Sequence, residues 1–147
     1  MKQPFYPYES NSEGLIYEFE SVSTTQTIRK IVVFSPLPEN PEIFNLALGD
    51  YLKDGTISDL TVSNNSDMEK VMATVIQTMF RFFEKYPDNF LYFKGSTPQR
   101  TRLYRIIISR ELSEAHKVFE LYGAIDGKLE VFKENRPYDF FIIALKQ

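Results

Sequence analysis

Five cations and a glycine–hydroxyl turn crowd into one stretch, Lys94–Arg110 (KGSTPQRTRLYRIIISR), which holds no acidic residue. Gly95, Ser96 and Thr97 make the turn, Pro98 follows, and Arg100, Arg102, Arg105 and Arg110 come after it. Pro98 suits the first turn of a helix with Thr97 as N-cap, and Ser96 with Gln99 offers a capping box one residue earlier. A helix start presents unpaired N–H groups and a partial positive charge, and arginine adds a fork of donors. Phosphate or carboxylate is the ligand such a corner matches. The anion site expected here consists of Lys94, Ser96, Thr97, Arg100, Arg102 and Arg105, with Tyr92 or Tyr104 available to stack on a base. A structural alternative makes Gly95–Thr97 a capped turn and pairs the arginines with Glu18, Glu20, Glu42, Asp50 or Asp54. The stretch is not a Walker A loop, because its lysine precedes a single glycine.

Other chemistry is sparse. His116 is the only histidine, which excludes a multi-histidine metal site and leaves any catalytic triad dependent on it. Cysteine is absent, so disulfides, thiol catalysis and thiolate metal sites are excluded. Asp50, Asp54 and Asp59 lack the calcium-loop spacing, and Asn64, Asn65 and Asp67 read as turn and cap. No cofactor and no metal is expected, and the inventory leans against an enzyme.

The elements that must position these residues belong to an ordinary globular chain. Its 147 residues are 43% hydrophobic and 25% charged, with a formal net charge of −3, long enough to bury a core in one domain. The aromatic load is heavy, 13 Phe and 9 Tyr without Trp, and most of it must be core. The first residues contain no continuous apolar run, and no segment approaches the ~18 apolar residues of a membrane helix. A cytoplasmic protein without membrane contact is the expectation.

Residues 1–13 read as an extended arm broken by Pro4 and Pro7, and residues 14–147 as a single α+β domain. Leu15–Val22 alternates with Tyr17 and Phe19 on one side, and Thr27–Phe34 is its hairpin partner. The three prolines of Ser35–Pro41 predict a loop. Ile43–Leu52 and Thr56–Val62 are strands about the Asp54-Gly55 turn. Ser66 and Glu69 form a capping box before apolar residues at three- and four-residue steps, a helix that Pro87 stops after Tyr86. Phe90–Phe93 is a strand, the arginine segment is the second helix and continues through Glu111–Lys117, and Val118–Gly123 and Leu129–Lys133 flank the Asp126-Gly127 turn. Asp139–Leu145 is the most hydrophobic strand. The fold class is α+β, a mainly antiparallel sheet of about seven strands in hairpins packed against two helices.

Five short blocks span nearly the whole chain: Tyr17–Ser21, Asn45–Asp50, Ser63–Asp67, Gly95–Arg105 and Tyr138–Phe141. On these the sequence resembles a family of small uncharacterised bacterial single-domain proteins, with the Gly-Ser-Thr to Arg-Leu-Tyr-Arg block the most distinctive. The resemblance implies a bacterial cytoplasmic protein and carries no functional residue. The function expected is a non-enzymatic binding domain for an anionic partner, a nucleic acid or a phosphorylated ligand. The alternative is a protein-interaction module or homodimer within a two-protein system, for which the aromatic arm Phe5–Tyr8 and the apolar last strand speak. An enzyme acting on a phosphorylated substrate comes third.

Overall fold

The computed structural model describes residues 4–52, 54–58, 67–95, 97–99, 101, 102, 104–106, 109 and 117–146. The fold is mixed α+β with mostly antiparallel strands, and the chain divides into two compact units.

One unit comprises Lys2–Phe34 and Ala47–Tyr86. Strand β1 (Tyr8–Ser10) pairs antiparallel with β2 (Ile16–Val22), and β2 with β3 (Thr27–Leu37), in the register Tyr8↔Phe19 and Phe19↔Lys30. The distal half of β4 (Asn40–Tyr51) carries β5 (Ile57–Ser58) through Asp50↔Ser58. Alternation turns Tyr17, Phe19 and Ser21 to the buried side of β2. Helix α1 (Met68–Lys85) contributes Val71, Met72, Val75, Met79, Phe82 and Phe83 to the same core. Phe34 stacks on Phe82 at 4.7 Å between centroids, and Tyr17 meets Phe34 edge-on at 5.8 Å. The arm does not stay apart: Tyr6 is buried, its N–H donates to Thr74 Oγ1 at 2.9 Å, and its ring stacks on Phe19.

The other unit comprises Ser35–Leu46 and Pro87–Gln147. Its strands run β4, β6 (Phe90–Phe93), β9 (Phe140–Leu145), β7 (Phe119–Ile125) and β8 (Lys128–Val131) in hydrogen-bonded order. The β4–β6 pair is parallel, with Ile43↔Phe90, and the others are antiparallel. A parallel pair needs a long crossover, which the chain between Tyr51 and Phe90 provides. A second helix, α2, has its described residues within 98–109, beginning at Pro98. Asp126 (φ 52°) and Gly127 (φ 79°) adopt the left-handed backbone that a tight β7–β8 turn requires. Gly123 has another reason to be glycine: a Cβ there would lie 2.3 Å from the Tyr138 ring.

Several expectations are corrected. The expected fold class holds, with nine strands among the described residues where about seven were expected: the arm adds β1, and the strand expected at Thr56–Val62 is described only at the short β5. The proline-rich Ser35–Pro41 is not a loop; β3 continues to Leu37 and β4 resumes at Asn40. Proline's fixed φ is compatible with extended chain, and only positions that must donate to a ladder forbid it. Helix α1 is capped at Asp67 without a side-chain cap bond, because that carboxylate accepts from the Tyr6 and Ser21 hydroxyls instead. Ser66, residues 59–62 of the expected strand, and residues 111–116 of the expected helix extension lie outside the described residues, while Lys117 is in a turn.

Candidate functional site

The turn before α2 is closed on itself. Thr101 is buried, and its hydroxyl accepts from the Gly95 N–H at 3.0 Å and donates to the Thr97 carbonyl at 3.2 Å. The Gly95 donor is therefore spent inside the protein. Lys94 and Arg102 are exposed and form no ion pair among the described residues. Arg105 is half-buried, and its Nη1 donates to the Arg136 carbonyl at 2.6 Å. A carbonyl fixes the guanidinium without cancelling its charge. Thr97 is half-buried at the helix start, and Ser96 and Arg100 lie outside the described residues.

Three of the acids considered as partners for these arginines have attachments elsewhere. Glu18 meets Arg29 at 3.4 Å, and Asp50 meets Lys30 at 2.6 Å. Asp54 accepts from the Thr56 hydroxyl and N–H, which hold its carboxyl below the usual range. Two further arginines pair, Arg81 with Glu84 at 3.1 Å and Arg136 with Glu130 at 2.9 Å. The Tyr138 hydroxyl donates to the same carboxylate at 2.8 Å, and that bond, with Arg136 beside it, lowers the Glu130 pKa.

The two tyrosines offered for stacking are separated. Tyr104 is 7% exposed and lies flat on Phe93 at 4.8 Å, so its ring belongs to the core. Tyr92 neighbours Phe93 on β6, and alternation sends it to the opposite sheet face from the one Tyr104 covers. There it packs on Phe140 at 4.8 Å, and burial raises its phenol pKa.

That opposite face is a surface the sequence reading missed. Ile43, Phe90, Tyr122, Leu129, Val131 and Ile142 line a shallow apolar groove across four strands and the β8 edge. Leu129 and Val131 are 57% and 60% exposed. The signal was present in the alternation of each strand, but only the strand order brings those alternate residues onto one surface.

A second feature missed by sequence reasoning is a buried ion pair. Lys30 and Asp50 are each 5% exposed, with Nζ and Oδ1 2.6 Å apart, while Asp50 Oδ2 has no hydrogen-bond partner among the described residues. On the same β2–β3 ladder, Ser21 sits diagonally from Lys30, and its hydroxyl joins Tyr6 on the Asp67 carboxylate. Lys70 places its ammonium 4.3 Å from the Tyr6 ring centre. These polar groups tie the arm to the start of α1.

Among the described residues, no three His, Asp or Glu side chains are grouped to hold a metal ion, and no helix is long and apolar enough to cross a membrane. His116, Asp59, Asn64 and Asn65 lie outside those residues. No curated protein and no solved structure matches the chain. A family model does match, over residues 2–146, and the chain belongs to that family, one of unknown function designated DUF6934.

Proposed function

We propose, for this member of a family without assigned function, a non-catalytic binding domain that recognises a phosphate-bearing partner through Lys94, Arg102 and Arg105, with Ser96, Thr97 and Arg100 from the same stretch of sequence. The observation that carries the reading is the presentation of the cations. Lys94 and Arg102 face solvent without a carboxylate among the described residues, and Arg105 is oriented by a backbone carbonyl. Because Tyr104 is in the core and Tyr92 is across the sheet, the chemistry recognised is phosphate rather than a base, in a nucleic-acid backbone or another phosphorylated ligand. Placement in a bacterial cytoplasm belongs to this proposal and rests on the cysteine-free composition and the short-block resemblance.

Fluorescence anisotropy with labelled single-stranded DNA and RNA tests it. Three phosphate contacts give a log–log salt slope of about −2 on single strands, an affinity loss of roughly twentyfold between 50 and 200 mM salt. The Lys94→Ala/Arg102→Ala variant removes two exposed cations, and the slope should shrink to about −0.7 with the circular dichroism spectrum unchanged. Salt-independent binding, or a slope that the variant leaves intact, would refute the assignment. A second reading, a protein-interaction module, is favoured by the open apolar face of β4, β6, β9, β7 and β8.

A further inference from the structure

Strand β8 ends the hydrogen-bonded order, and among the described residues only β7 pairs with it. The ladder parity says what its outer edge presents. Phe132 N–H donates to the Leu121 carbonyl at 2.9 Å, and the register continues Glu130↔Gly123 and Lys128↔Ile125. In an antiparallel ladder, bonded and non-bonded pairs alternate. The backbone groups of Lys128, Glu130 and Phe132 therefore face β7, and those of Leu129 and Val131 face outward. Their side chains stand on the apolar groove, so unpaired backbone and exposed apolar surface meet along one edge. Such an edge is a template for another strand.

We propose that the occupant is a second copy of this chain, its β8 pairing antiparallel with this β8 about a two-fold axis at Leu129. Parity allows only residue-centred registers, and charge selects among them. Centring on Leu129 sets each Lys128 opposite the partner copy's Glu130 and lets the two Leu129 side chains join the grooves into one apolar surface. Centring on Glu130 opposes two carboxylates, and centring on Val131 faces Leu129 with Lys133. Glu130 remains able to accept, since Arg136 and Tyr138 occupy only part of its acceptor capacity. The proposal is independent of the anion site, and its test contains no anion.

The chain has no cysteine, so single-cysteine variants report the register directly. At the two-fold centre the Leu129 Cα atoms come about 5.5 Å apart, within disulfide reach. The two Val131 positions are about 14 Å apart, beyond it. Oxidised Leu129→Cys protein at low micromolar concentration should run as a covalent dimer on a non-reducing gel, and Val131→Cys should not. Sedimentation equilibrium of wild-type protein should show a dimer, and Lys128→Glu should weaken it about tenfold by opposing the carboxylate of Glu130. A wild-type monomer at 100 µM overturns the proposal. So does a dimer that Val131→Cys links as readily as Leu129→Cys, or that Lys128→Glu leaves unchanged.

Discussion

Replacing Lys30 with methionine isolates the energetics of the buried pair. The side chain keeps nearly the same length, so packing is little changed, and what disappears is the ammonium 2.6 Å from Asp50 Oδ1. Asp50 Oδ2 already lacks a partner among the described residues, so the substitution strands the carboxylate in a site 5% exposed. Breaking a buried pair from one side costs about 3–5 kcal/mol, a large share of the 5–15 kcal/mol that holds a typical domain. Urea unfolding followed by circular dichroism at pH 7 reads the loss. Lys30→Met/Asp50→Leu removes both charges together and should recover most of the loss, because no charged carboxylate is then left in the buried site. A single substitution costing under about 1 kcal/mol, or a double variant as unstable as the single one, would refute the claim that the pair is a buried, mutually dependent unit.

Other perturbations follow from single contacts. Gly123→Ala drives a methyl group to 2.3 Å from the Tyr138 ring and should cost about 2–3 kcal/mol, read as a fall in Tm. Asp67→Ala leaves the Tyr6 and Ser21 hydroxyls without their shared acceptor and should cost about 1–3 kcal/mol, with faster amide exchange at Tyr6 as the arm loosens. Burial pushes the Tyr17 phenol up to about 12 from an ordinary 10, so its contribution is intact below pH 10 and lost as pH rises from 10 through 12. Alkaline titration should unfold the protein in that window, and Tyr17→Phe, which keeps the ring but cannot ionise, should move the midpoint upward.

Elements whose cause lies within a few residues were legible. The three- and four-residue recurrence from Met68 to Phe83 describes α1, and Asp126-Gly127 and Asp54-Gly55 turn where their composition says. The candidate site was legible as a local excess of cations, and less so as a surface. Tyr104, offered as a stacking ring, lies instead in the core against Phe93. The prolines of Ser35–Pro41 misled, because a missing N–H matters only where a partner strand would accept from it.

Periodicity, turn chemistry and charge density are properties of neighbouring residues, and the sequence by itself determined the helices, most strand positions and the cationic stretch. Pairings between distant residues came only with the tertiary structure. Asp50 meets Lys30 rather than an arginine because adjacent strands bring their inward positions together. Asp67 abandons its capping bond because the arm delivers Tyr6 to it, and the parallel β4–β6 pair sets Ile43 beside Phe90 on the apolar face. Alternation along one strand says which residues share a side. Only the order and register of the neighbouring strands decide whether that side meets a helix or remains open.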